Sequence, residues 1–138
     1  MKIYIVKETT IDEKRVSLVP DVAKKFIKDG FDVFLEKDAG YMSKFTDDDY
    51  SSLGVNIDDN HENISDADVI FCVRMPEDNL INKIKSGACL IGLLNPYDNK
   101  EKLELLSKKG INAFSMELIP RSPRAQSMDV LSSQPNLA

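Results

Sequence analysis

Apolar positions along the chain fall into short runs separated by polar stretches, with two alternating periods. Residues 3–6 form a compact apolar run that predicts a buried strand. Pro20 opens a helical pattern in which Val22, Ala23, Phe26 and Ile27 share one face, and Gly30 supplies its stop. Phe31, Val33 and Leu35 then alternate with Asp32, Phe34 and Glu36, which predicts a second strand. Thr46 is a good N-cap for a short helix ending at Gly54, and residues 55–57 make a brief third strand. The continuous runs VIFCV (69–73) and ACLIGLL (88–94) read as central strands buried on both faces. Leu103, Leu105 and Leu106 define the inner face of a helix over residues 100–109, closed by Gly110, and residues 111–114 form the last strand.

Strands separated by helices of ~10 residues imply βαβ units. The expected class is α/β: a mostly parallel sheet with helices on both faces, in flavodoxin-like layers. Functional loops of such sheets lie at the carboxyl ends of the strands. Arg74, Asn95 and the stretch 120–129 all follow strands directly, so they should converge at one edge.

Composition narrows the function. At 138 residues the chain suits one domain. The formal charge of −5 is spread without a basic patch, which argues against a nucleic-acid partner. No stretch approaches ~20 apolar residues, so direct membrane insertion is not expected. The opening MKIYIVKE runs straight into a strand pattern, so no signal peptide is expected. Cys72 and Cys89 sit in apolar runs and read as reduced core thiols, with a disulfide open to them only if their strands are neighbours. The charged run 47–49 fits a helix N-terminus, and no metal site is expected there. His61 is the only histidine; flanked by acidic residues, it reads as a solvated surface residue.

The chemistry-bearing residues crowd into 120–138, PRSPRAQSMDVLSSQPNLA. Taken alone, such a cluster is most simply a polar loop ending in a helix cap. Pro120, Arg121, Arg124, Ala125, Gln126, Ser127, Met128, Asp129, Leu131, Ser132 and Ser133 match, in order, a loop of the NAD(H)-binding component of proton-translocating transhydrogenases, which the stretch closely resembles. Upstream, KETTIDEKRVSLVP resembles the opening signature of the alanine dehydrogenase/transhydrogenase N-terminal domain, departing from it with Val6 in place of proline and Val19 in place of threonine. Further departures are Ser122-Pro123, Pro135, and the absence of any GxGxxG.

The resemblance implies roles for particular residues. Arg121, Gln126 and Asp129 would be the catalytic, ring-positioning groups, and with Ser132 they would contact the cofactor. Arg15 would be structural. Arg74 stands where the related dehydrogenases carry a substrate-contacting lysine, and Asn95 stands near the place of their catalytic histidine. The cofactors implied are NAD(H), bound mainly by a Rossmann domain outside this chain, and NADP(H) on a partner subunit. Expected partners are that Rossmann domain, the NADP-binding and membrane subunits, and a second copy in a homodimer. The location implied is cytoplasmic, peripheral to the inner membrane through those subunits. Residues 1–128 would form the domain and 129–138 the start of a connecting helix. The alternatives are an alanine-dehydrogenase-like oxidoreductase domain and a stand-alone binding module of the same fold.

Overall fold

The computed structural model describes residues 1–118. The expected domain boundary at 128, the connecting helix, and Arg121, Gln126, Asp129 and Ser132 lie outside the described residues. Six strands, β1 (Lys2–Ile5), β2 (Asp32–Glu36), β3 (Asn56–Asp58), β4 (Val69–Arg74), β5 (Cys89–Leu93) and β6 (Asn112–Ser115), form one sheet in the order β3-β2-β1-β4-β5-β6. Every pairing is parallel. The helices are α1 (Pro20–Lys28), α2 (Asp47–Ser51), α3 (Asp78–Ile81) and α4 (Lys100–Lys108). The layers are those the alternation implied. The strand order and α3 were beyond the reach of periodicity, α3 because four residues are too few to display a helical repeat.

Side-chain alternation splits the interior into two cores. Ile3, Ile5, Val33 and Leu35 face α1 and α2 and pack with Ala23 and Tyr50. Tyr4, Val6, Ile70, Cys72 and Leu90 face the other way and pack with Ile81 of α3 and Leu106 of α4. The chain changes faces between β3 and β4, so the strand order reverses between β1 and β4.

Local chemistry explains the ends of these elements. Pro20 opens α1. Thr46 and Asp49 form a reciprocal capping box on α2, which engages the Asp49 carboxylate of the charged run; Asp47 Oδ1 accepts from the Asp38 amide. Tyr50 anchors that helix, its hydroxyl donating to the Leu18 carbonyl at 2.8 Å. Gly92 lies so close to Cys72 that an added Cβ would collide with the Cys72 carbonyl and stand 2.7 Å from its Sγ. The two thiols are free although their strands are neighbours. Cys72 packs in the α3/α4 core, whereas Cys89 pairs in register with Val69 of the α1 side, so the sheet itself separates them.

Candidate functional site

In an open parallel sheet the crevice forms where the strand order reverses, outside the carboxyl ends of the strands. Here that point is the end of β1 beside the end of β4. A crevice of about 70 Å³ opens there, with Lys7, Glu8, Glu36, His61, Arg74 and Met75 among its lining residues. A polar groove of about 450 Å³ continues across the ends of β2 and β3 and shares Lys7, Glu36 and His61 with it.

Three glutamates build this edge by accepting from backbone amides that the strands leave open. Glu8, just past β1, accepts from the amides of Val73 (2.9 Å) and Arg74 (2.8 Å) at the end of β4. Glu36, at the end of β2, accepts from the Lys7 amide at 2.9 Å. Glu117 accepts from the amides of Leu94 and Asn95, both at 3.1 Å, past the end of β5. Ser115 also donates its hydroxyl to Glu117. Each clamp ties one crossover loop to its neighbouring strand, so the loops are held in mutual register.

A fourth glutamate gathers the arginines. Glu13 accepts from Arg15 through its amide (3.1 Å), Nε (2.9 Å) and Nη2 (3.0 Å), and from Arg74 Nε at 2.7 Å. These charge-assisted bonds, those of Arg15 first, hold the Glu13 carboxyl down at about 2. Glu8 is moved the other way: burial pushes it up to about 6 against the opposing pull of the two amides it caps. Arg15 pairs with Glu13, and its guanidinium is raised further, chiefly by its hydrogen bonds to Glu13.

His61 differs from its expected place in solvent. Its side chain is 22% exposed, with Nε2 standing 3.0 Å from Glu36 Oε2, close but off the hydrogen-bonding angle. Its Nδ1 lies 3.0 Å from Lys83 Nζ. A left-handed backbone at Asn60 and His61 turns the ring back over the sheet edge instead of outward. Of the acidic flanks that suggested solvation, Asp58 ends β3, is buried and accepts from Tyr4 Oη at 2.6 Å.

The expected convergence is met for the residues described. Arg74 pairs in register with Leu93, so Asn95 leaves the sheet at the same edge. Asn95 takes a positive φ of 48° and its Nδ2 donates to Asp98 Oδ2 at 2.9 Å. Glu117 pins the chain to this edge just before the stretch that holds Arg121. Sequence reasoning singled out the arginines and missed Glu8, Glu13 and Glu117. The Glu-x-Arg spacing of residues 13 and 15 was an available signal; Glu117 had none, because its partners are amides more than twenty residues away.

A bound dinucleotide does not fit the described residues. The strand order is one that dinucleotide-binding folds use, but their first strand-to-helix turn is short and glycine-rich. Here residues 6–19 contain no glycine and carry Glu8 and Glu13 toward the edge, where a pyrophosphate would meet carboxylates.

Known proteins locate the chain. It is 41% identical over 142 residues to the first portion of the NAD(P) transhydrogenase alpha subunit of Rickettsia prowazekii, covering 99% of this chain and 37% of that one. The crystal structure of a transhydrogenase from Sinorhizobium meliloti superposes with a TM-score of 0.91 at 40% identity, covering 99% of this chain and 41% of that one. "Alanine dehydrogenase 1" of Staphylococcus aureus is 30% identical over 133 residues, covering 96% of this chain and 36% of that one. The chain therefore spans about two-fifths of the length of these relatives. The family model for "Alanine dehydrogenase/PNT, N-terminal domain" matches residues 4–138, and the chain belongs to that family.

Proposed function

We propose that this chain works as the N-terminal part of the NAD(H)-binding component of a proton-translocating transhydrogenase, where it positions a nicotinamide for direct hydride transfer between NADH and NADP. The observation that carries the reading is the 41% identity, over nearly the whole chain, to the first portion of a transhydrogenase alpha subunit, against 30% to an alanine dehydrogenase. Hydride transfer between two nicotinamide rings asks only that they be held close and correctly oriented; no side chain has to give or take a proton. A chain with Asn95 near the place of the dehydrogenases' catalytic histidine, and no histidine there, suits that chemistry.

In this reading the dinucleotide is held mainly by polypeptide beyond the chain's span of its relatives. Arg121 offers a planar fork of donors to a carboxamide or phosphate oxygen. Gln126 donates to and accepts from an amide, Asp129 accepts from the carboxamide NH2 or holds Arg121, and Ser132 adds a hydroxyl. Residues 1–128 are the domain and 129–138 the start of a connecting helix. Association with NADP-binding and membrane subunits and with a second copy follows from the same reading, and would place the protein at the cytoplasmic face of the inner membrane. No helix among the described residues is long and apolar enough to cross a membrane.

The test joins this chain to the remaining polypeptide of the Rickettsia relative and follows NADH oxidation by an NADP analogue in stopped flow, with the NADP-binding subunit present. Arg121→Ala, Gln126→Ala and Asp129→Ala should each slow hydride transfer by ~10-fold or more while changing NADH affinity by less than ~3-fold. Equal losses in rate and affinity would contradict an orienting role. NAD-dependent oxidation of alanine by the same chimera, without hydride exchange, would favour the dehydrogenase alternative.

A further inference from the structure

Two crossover segments share the α3/α4 face of the sheet. Residues 59–68 lead from β3 to β4, and α3 with residues 82–88 leads from β4 to β5. Both bury apolar side chains in one core, Ile64 and Ala67 from the first segment, Ile81 and Ile84 from the second. Two lysines of the second segment reach across to the first. At the amino ends of the strands Lys85 Nζ lies 2.6 Å from Asp68 Oδ1. Toward the carboxyl ends Lys83 Nζ lies 3.0 Å from His61 Nδ1. The Lys85–Asp68 contact joins two fixed charges. The Lys83 contact ends on an imidazole, the side chain that changes charge between pH 5 and 8.

The lysine fixes the proton on the ring. An ammonium group donates and never accepts, so its bond to His61 uses the lone pair of Nδ1. The proton of the neutral ring is then on Nε2. That nitrogen is buried and stands 3.0 Å from Glu36 Oε2, with no hydrogen-bond partner among the described residues. The neutral ring is therefore satisfied at one end, by Lys83. Protonation reverses the preference. A proton on Nδ1 removes the acceptor from Lys83 and sets two like charges 3.0 Å apart. The same proton makes the ring a full cation beside Glu36, and charge attraction tolerates an angle that a hydrogen bond does not.

The surrounding charges leave this exchange to the three groups. Asp58 is taken up by Tyr4 Oη and Asn63 Nδ2, both at 2.6 Å. The other oxygen of Glu36 holds the Lys7 amide. Around the groove the side chains of Lys7 and Lys37 are matched by those of Asp38 and Asp59. Arg74, across the crevice, is drawn to Glu13. Glu77 faces that crevice from the start of α3, and Glu62 follows His61 in the turn. Glu8, raised to about 6 by burial, titrates in the same range but is committed to the Val73 and Arg74 amides.

We infer that His61 is a proton-operated latch between the two crossover segments: neutral, it accepts from Lys83 and ties them at the carboxyl edge; charged, it turns to Glu36 and frees the Lys83 ammonium into the groove. Lys85 and Asp68 stay joined throughout, because the Asp68 carboxyl is held below its usual range, chiefly by its bond to Lys85. The latch thus opens at one end of the segments and leaves the other closed. The inference depends on side-chain geometry and stands apart from hydride transfer.

His61 is the only histidine, so its ring signals are unambiguous in NMR spectra of the isotope-labelled 138-residue chain. At about pH 8 the ring nitrogens should report the Nε2–H tautomer, with nuclear Overhauser contacts from the ring protons to the Lys83 side chain. Those contacts should fall at least ~3-fold by about pH 5, along the ring's own titration curve. His61→Gln offers an amide oxygen to Lys83 and an amide NH2 to Glu36 at every pH, so contacts between positions 61 and 83 should not change over that range. In Glu8→Gln the parent's loss of contact should persist. Ring contacts to Lys83 that survive the whole titration would overturn the inference, as would an Nδ1–H tautomer at the upper pH. A pH-dependent loss in His61→Gln, or a loss abolished by Glu8→Gln, would overturn it too and assign the effect to another group.

Discussion

Replacing Glu13 by Gln removes the charge that Arg15 and Arg74 share while keeping the side chain's size. The carboxyl lies at about 2, against 4.5 when unperturbed. At ~1.36 kcal/mol per pH unit that difference is worth at most about 3.4 kcal/mol. The carboxylate is 5% exposed but the Arg74 side chain is 49% exposed, so water screens part of the attraction. Gln also keeps one acceptor for the guanidinium groups. A cost on the order of 1–2 kcal/mol is expected. For a domain of this length ~1 kcal/mol moves Tm by roughly 3–4 °C, so Glu13→Gln should melt about 3–8 °C below the parent at pH 7. The sign with pH follows from linkage. A folded-state value below the unfolded one contributes stability that is present above 4.5 and lost as pH falls from there toward 2. The gap between parent and variant should therefore shrink through that window. Thermal melts followed by circular dichroism at pH 7, 4.5 and 3 decide it. No difference at pH 7, or a full-sized difference at pH 3, would refute the electrostatic account of the Glu13 cluster.

Glu8 should give the opposite slope: its carboxyl, raised by burial to about 6, makes stability fall as pH rises from 4.5 through 6, by up to about 2 kcal/mol, and Glu8→Gln should abolish that part of the Tm profile. Gly92→Ala drives a methyl group into the Cys72 backbone and should cost ~1–3 kcal/mol in urea denaturation; an unchanged midpoint would show that β4 and β5 can separate freely. Tyr50→Phe leaves the buried Leu18 carbonyl without its donor and should cost ~1–2 kcal/mol by the same measurement. Isothermal titration of the 138-residue chain with NADH should show weak or no binding, because the β1–α1 connection offers no glycine-rich turn to a pyrophosphate; sub-micromolar affinity would overturn this.

Hydrophobic patterning alone determined that the chain is α/β and where most elements lie, because a strand or helix facing a core must repeat its apolar residues at the period of its own backbone. The runs 69–73 and 88–94 announced interior strands, although Cys89, Ile91 and Leu93 on one face of β5 are only half-buried, and Pro20, Thr46 and Gly110 marked element ends through purely local chemistry. The match of residues 120–133 to a transhydrogenase loop was likewise carried by the one-dimensional order of residues. Periodicity held no information on what crosses the sheet. The order β3-β2-β1-β4-β5-β6 arises from which face each crossover takes, and that choice brings Glu8 under the end of β4 and His61 over Glu36. The acidic neighbours of His61 suggested solvent, but a left-handed turn at Asn60 and His61 directs the ring inward. The convergence of Arg15 and Arg74 on Glu13 depends on contacts between residues up to sixty-one positions apart, which no local spacing encodes.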